Sequence, residues 1–300
     1  MSKRLLAHIA VLIVSLIYGA NYTIAKEVMG GNYLQPVGFI WLRVSFAVLV
    51  FWTLHQVWSR EKIEWKDLGL LALCGLFGVA VNQSFFFAGL HYTTPINASL
   101  IMTTNPILVL LIAAAIGQEK ITIPKFIGIV LGMSGAILII TNGRGIVFTG
   151  DQALGNLLVL INATSYGIYL ILVKKLMVKY KALTVVKWVF LFGLIYISPI
   201  GLPQLADVDW NSFTTGVWVS IAYVLIFTTV LAYLLNAYAL NTLQSTTVSI
   251  YIFLQPLFAA MVALSLGKES LTWIKLIAGL LILSGILMVT FRKQFNRNVA

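Results

Sequence analysis

Residues 68–118 read LGLLALCGLFGVAVNQSFFFAGLHYTTPINASLIMTTNPILVLLIAAAIGQ, 51 consecutive positions without a charged side chain. Wound as one helix they would extend ~76 Å at 1.5 Å per residue. A bilayer's hydrocarbon core is only ~30 Å thick and takes about 20 residues per crossing. The segment His91-Tyr92-Thr93-Thr94-Pro95 divides the run into two crossings, because proline and short polar residues end helices. A second run, 58 uncharged residues between Asp209 and Lys268, divides at Asn241-Thr242. Extended over the chain, this reading predicts an all-α integral membrane protein with ten spans. They lie near residues 5–26, 36–58, 68–90, 95–116, 124–141, 154–174, 183–203, 213–236, 244–266 and 272–291.

Composition supports lipid as the solvent. Of 300 residues, 60% are hydrophobic and 10% charged, against roughly 25% charged in a soluble domain. The net charge of +11 does not point to nucleic acid, because the cations sit in short loops. With ten spans both termini share one side. The segments on that side hold 15 Lys and Arg, the opposite ones hold 4, and Arg43 lies within a span. That bias places both termini in the cytoplasm. The single cysteine, Cys74, excludes an internal disulfide and a thiol metal site. Lys3 and Arg4 precede 21 uncharged residues, too long for a signal-peptide core, so residues 5–25 are expected to remain as the first helix. The sequons at Asn21, Asn97 and Asn162 fall in or beside spans and are not expected to carry glycans.

The two halves repeat. Tyr18-Gly19 with Lys26 recurs as Tyr166-Gly167 with Lys174, at an offset of 148. At an offset of 150, Asn105-Pro106 matches Gln255-Pro256. Gly117, Glu119 and Thr122 match Gly267, Glu269 and Thr272, and Lys125 and Gly135 match Lys275 and Gly285. Five spans per copy is an odd number, so the second copy enters the membrane inverted, an architecture in which two halves rock about a midplane site. The halves are expected at 1–146 and 147–300.

The same residues carry a family resemblance over nearly the whole chain. It resembles the ten-helix, EamA-like members of the drug/metabolite transporter superfamily. The marks are Gly117-Gln118-Glu119-Lys120-Ile121-Thr122 and Gly267-Lys268-Glu269-Ser270-Leu271-Thr272, each entering a Gly-rich helix. Tyr18-Gly19-Ala20-Asn21 with Lys26, and Pro36 with Arg43, add to these; Tyr18 stands where the family more often has Trp. The resemblance implies a monomeric bacterial inner-membrane carrier with a central cavity, moving amino acids, related metabolites or drugs, in many cases outward.

Polar groups are costly in lipid and turn to the bundle interior. The fourth span carries Asn97, Ile101 and Asn105 on one face, and the ninth carries Thr247, Tyr251 and Gln255 at the same offsets. Pro106 and Pro256 follow directly and leave the carbonyls of Met102 and Ile252 without helical partners. The sixth span adds Asn162, Tyr166 and Tyr169, the first Tyr18, Asn21 and Tyr22, the third Asn82 and Phe86, and the eighth Asn236, the repeat match of Phe86. Rings and amides together suit an amphipathic solute. Tyr18, Asn21, Tyr22, Asn82, Phe86, Asn105, Tyr166, Tyr169, Asn236, Tyr251 and Gln255 are therefore the candidate substrate contacts. Interhelical packing is the competing role for each. Arg43 is a candidate contact for a substrate anion, or a side chain bound to backbone carbonyls. Glu119 and Glu269 are expected to serve helix N-termini, and Gly128, Gly132 and Gly135 close packing.

No nucleophile or metal motif of a membrane hydrolase occurs, and no cofactor is expected. The expected function is movement of a small metabolite by alternating access. The alternatives are a multidrug efflux carrier and, further off, a membrane enzyme or channel subunit. All nine acidic residues fall in loops or at span ends, and His8, His55 and His91 near span ends. That pattern predicts facilitated diffusion or exchange without a protonatable group at depth.

Overall fold

Backbone N–H and C=O groups find no partners in lipid, so uncharged runs of this length satisfy them internally as helices. The computed structural model describes residues 2–30, 33–59, 61–93, 98, 101–141, 153–206, 208–265 and 272–290, and these contain helices and turns but no strand. Seven stretches are long and apolar enough to cross a membrane. They fall in α1 (Lys3–Gly30), α2 (Pro36–Trp58), α3 (Trp65–Gly89), α6 (Ala153–Lys179), α7 (Ala182–Gly201), α8 (Thr215–Leu240) and α10 (Trp273–Thr290). Three further apolar helices are shorter among the described residues: α4 (Asn105–Ala115), α5 (Ile123–Thr141 in full) and α9 (Ser245–Met261).

Local chemistry sets several boundaries. α2 begins at Pro36, where a missing N–H costs nothing and φ is already helical. α8 begins after Thr214, whose hydroxyl accepts from the Val217 N–H. α6 and α8 run past their expected ends to Lys179 and Leu240. The break expected at 91–95 and the motif at 267–271 lie largely or wholly outside the described residues.

The packing pairs one half with the other. α1 lies on α8 and α9, and α6 lies on α3 and α4. α2 packs on α7 and α5 on α10. The α5–α10 seam depends on absent side chains, as the sequence predicts: a Cβ at Gly135 would sit 2.6 Å from the Ala278 carbonyl oxygen, and one at Gly285 would meet the Gly128 carbonyl. Large apolar side chains such as Leu49, Val219 and Leu280 face outward, the arrangement lipid allows.

One end of the bundle gathers the start of α1, the end of α10 and the loops after α2, α4, α6 and α8. There an Arg4 nitrogen donates to the Thr290 carbonyl at 2.9 Å, and Lys179 pairs with Asp67 at 2.5 Å and Glu64 at 2.7 Å. Lys174 donates to the carbonyls of Leu240 and Leu243, capping the end of α8. Two lysines read as loop cations are buried instead. Lys125, 1% exposed, pairs with Glu119, and Lys187 meets His55 Nδ1 at 2.9 Å and lies 4.6 Å from the Trp52 ring centre. Glu119 also accepts the Thr246 N–H, so the N-terminus it serves is that of α9 and not that of α5, which it precedes.

Candidate functional site

The polar residues predicted on α1, α6, α8 and α9 converge, and they do so because the helices carrying them are not regular. In α9 the segment Ile250–Phe253 narrows to a 3-10 turn immediately before Gln255-Pro256, and α4 is preceded by a turn at Thr103–Thr104. Each proline thus interrupts α geometry as its missing N–H requires. α3 and α8 widen to π turns at Leu76–Val81 and Val224–Leu231, equivalent places in the two halves. Such segments free backbone carbonyls and frequently mark functional positions.

Side chains from neighbouring helices take up those carbonyls. The Tyr233 hydroxyl donates to the Gly78 carbonyl at 3.0 Å, and Ser165 to that of Phe77 at 2.6 Å. Thr228 and Thr229 both donate to Val224. Gln83 Nε2 donates to the Tyr233 hydroxyl at 3.3 Å. Neither Gln83 nor Tyr233 figures among the sequence candidates, although they occupy matching places 150 residues apart. The repeat offset was the signal that could have found them.

Beside this network lies a small cavity, about 20 Å³, room for one water. Val11, Val14, Val248 and Ile252 supply its apolar wall, and Ser15, Tyr18, Tyr166, Asn236, Tyr251 and Gln255 its polar one. Five of the eleven predicted contacts thus meet in one place, drawn from both halves. Ser15 holds the α1–α9 wall together, donating to the carbonyls of Val11 and Tyr251, both at 2.9 Å.

The other candidates go elsewhere. Asn105 is fully buried and donates to the Ala163 carbonyl at 2.7 Å, tying α4 to α6. Asn82 and Asn162 exchange side-chain to backbone hydrogen bonds between α3 and α6, at 3.4 and 2.5 Å. Tyr169 fills the space left by Gly78 and lies against Tyr233, and Phe86 packs edge-on to Phe87. These four meet helix backbone and rings and do not line the cavity. Asn21 follows Tyr18 along α1, and its Oδ1 is buried without a hydrogen-bond partner. The side chain of Tyr22 lies outside the described residues.

Arg43 is 6% exposed in the bundle interior. Its Nε donates to Thr229 Oγ1 at 3.1 Å, and its guanidinium faces the rings of Phe39 and Phe87 at 6.0 and 5.8 Å. Among the described residues no carboxylate pairs with it. It lies within electrostatic range of Tyr18 and Tyr233, which links it to the cavity wall. The described residues hold no cluster of His, Cys, Asp and Glu suited to a metal.

The sequence places His8 near a span end. The structure sets its Nδ1 3.0 Å from the hydroxyl of Tyr251, a cavity-lining side chain. A protonatable ring thus touches a residue of the cavity wall from the span end where the sequence places it.

The sequence model of the EamA-like transporter family matches residues 5–141 and again 153–291. Among curated proteins, the chain is 28% identical over 296 residues to an uncharacterized transporter of Archaeoglobus fulgidus, covering 96% of this chain and 98% of that one. It is 25% identical over 235 residues to a protein of Streptantibioticus cattleyicolor named "Probable terminal-alkyne amino-acid exporter", covering 78% and 77%. A crystal structure superposes with a TM-score of 0.78 at 17% identity, covering 97% of this chain and 98% of that one, which shows a shared fold. The chain belongs to the EamA-like transporter family, and it is a multi-pass membrane protein.

Proposed function

We propose that this EamA-like transporter carries a small amphipathic metabolite, an amino acid or a close relative, by alternating access. Two inverted five-helix halves, residues 1–146 and 147–300, would rock about the cavity. The setting would be a bacterial inner membrane, with ten crossings, both termini cytoplasmic and net movement outward. The observation that carries the reading is the convergence of Tyr18, Tyr166, Asn236, Tyr251 and Gln255 from both halves, with Arg43 within electrostatic range of Tyr18.

The chemistry supports a zwitterion. A buried guanidinium with donors to spare favours a carboxylate, which it grips through charge-assisted hydrogen bonds. Tyrosine rings cover an apolar side chain, while Asn236 offers a carbonyl oxygen to an ammonium group. At about 20 Å³ the cavity is too small for an amino acid, so loading requires the halves to separate. The exporter from Streptantibioticus cattleyicolor, by its name, handles an amino acid, which agrees with this choice.

The test is counterflow in proteoliposomes preloaded with one unlabelled amino acid at a time, measuring entry of the labelled form. Transport of at least one amino acid, lost in Arg43→Gln but retained for amines lacking a carboxylate, supports the reading. Equal counterflow of amino acids and of cationic drugs, indifferent to Arg43→Gln, would move the protein to the multidrug alternative.

A further inference from the structure

The seam between α2 and α7 holds a cation that the transport reading does not use. Lys187 is 6% exposed, and its ammonium meets His55 Nδ1 at 2.9 Å. The ring centres of Trp52 and Trp188 lie 4.6 and 5.7 Å from it. Among the described residues no carboxylate forms an ion pair with it. Glu61 comes within electrostatic range, but its carboxylate accepts the Lys181 N–H at 3.0 Å. An ammonium carries three N–H donors, and His55 takes one of them. A buried charge is costly unless it is paired and hydrogen-bonded.

The polar groups around the lysine are unserved as well. Trp52 Nε1, Ser59 Oγ and Thr184 Oγ1 are buried, and none has a hydrogen-bond partner among the described residues. They share one place because α2 and α7 run antiparallel. Trp41 donates to Ser198 at 3.0 Å, Phe51 packs on Phe190 with ring centres 5.1 Å apart, and His55 meets Lys187. One turn further along α2 comes Ser59, and one turn back along α7 comes Thr184. The register therefore sets the two hydroxyls across from each other, beside the lysine. An indole N–H can only donate, and a hydroxyl always has a proton to give. Folded proteins seldom leave such groups unpaired. What the seam lacks is an acceptor.

We propose that the α2–α7 seam binds a phosphate-type oxyanion, supplied by the headgroup of an anionic phospholipid. A phosphate oxygen gives Lys187 its missing counter-ion through charge-assisted hydrogen bonds, and the indole and the hydroxyls donate to the remaining oxygens. The level suits a headgroup. Ser59 closes α2 and Thr184 lies in the first turn of α7, at the bundle end that carries the Lys179 ion pairs. Trp58 and Trp65 are exposed there, as aromatic side chains are where a membrane meets water. Val57 is exposed beside them and offers apolar surface to an acyl chain. Lys62 and Lys181 are exposed near Glu61, so the local charge stays positive. Trp52 and Trp188 are only half-buried, and the phosphate reaches Lys187 from the lipid side as these rings turn aside. Basic pockets between helices recognise anionic headgroups through the same chemistry. α2 lies in the first family match and α7 in the second, so a bound lipid links the two copies.

The site is independent of what the carrier moves, and its test involves no transport. Full-length protein, purified in detergent and stripped of lipid, is melted with added short-chain phosphatidylglycerol, with diacylglycerol of the same chains, or with inorganic phosphate. A ligand of the folded state raises the thermal midpoint as its concentration rises. Phosphatidylglycerol should do so, and diacylglycerol should not. Lys187→Gln should need about tenfold more phosphatidylglycerol for the same rise, because a hydrogen bond to a charged group is lost. Thr184→Val should shift the requirement in the same direction by less. Native mass spectrometry should count one retained phosphatidylglycerol on wild type and none on Lys187→Gln. Where Lys187→Gln does not fold, the double variant Ser59→Ala with Thr184→Val carries both comparisons. Inorganic phosphate that protects through Lys187 and competes with the lipid would keep the oxyanion site and assign it a soluble ligand. Equal responses of wild type and variants, equal protection by diacylglycerol, or a wild type indifferent to both phosphate compounds would overturn the site.

Discussion

Asn105-Pro106 and Gln255-Pro256 occupy matching places in the two halves, 150 residues apart, and the structure uses them differently. Asn105 is fully buried and spends its amide on the Ala163 carbonyl. Gln255 lines the cavity beside Tyr251 and Ile252. Both faces point into the bundle, as the spacing of their polar residues demands. What differs is the neighbour: α4 lies flush on α6, whereas α1 and α9 meet through Ser15 and leave space between Tyr18 and Tyr251. One sequence signal, present in both family matches, takes two roles because its neighbours differ.

The largest effect is expected where the two regions are tied together. Glu119 follows α4, pairs with buried Lys125, and accepts the Thr246 N–H at the start of α9. Glu119→Gln leaves Lys125 charged, buried and unpaired, and should cost about 3–5 kcal/mol. Detergent-solubilised variant and wild type would be compared by urea unfolding. A loss under 1 kcal/mol would mean that the tie is not structural.

Next comes the packing member of the pair. Asn105→Leu removes the buried bond to the Ala163 carbonyl, at a cost of about 1 kcal/mol. Transport per folded molecule should stay near wild type while the thermal midpoint drops. The cavity member should behave in the opposite way. Gln255→Ala should lower transport about tenfold, since a buried polar contact contributes ~1–2 kcal/mol, with the thermal midpoint nearly unchanged. Should both variants lose transport without losing stability, Asn105 also contacts substrate in another conformation, and the contrast drawn above collapses.

The smallest effect lies at the surface. The Glu64 carboxyl is held below the usual carboxylate range by its hydrogen bond to Lys179, and then by that to Lys66. A depressed carboxyl contributes stability that is full above its unfolded value, about 4.3, and is lost as pH falls through the lower folded value. The difference between wild type and Glu64→Gln should therefore be constant at pH 6–8 and vanish in strong acid. Salt should reduce it as well, since the pair is exposed.

Much of this was legible in the residues. The bounds of α2 fall where Pro36 and the end of the apolar run put them, and the glycines of the α5–α10 seam behave as their spacing implies. Five cavity residues were named from polar spacing alone. The Gln83–Tyr233 bridge was missed because neither residue belongs to a polar stripe, and its partner carbonyl is free only through a π turn that no spacing encodes. Lys125 and Lys187 were misplaced because a lysine near a span end reads as a loop cation, whether or not a buried partner awaits it.

The sequence by itself determined that the chain lives in lipid, which segments are helical, which faces turn inward, and that the halves repeat. Those properties follow from hydrophobicity and helical period, which are local sums over neighbouring residues. Only the tertiary structure decided which inward polar groups meet backbone and which meet a cavity, that His8 reaches Tyr251, and that Glu119 serves a helix of the other half. Each of these depends on contacts between residues up to 243 positions apart, and on helix irregularities that shift a side chain off its periodic face.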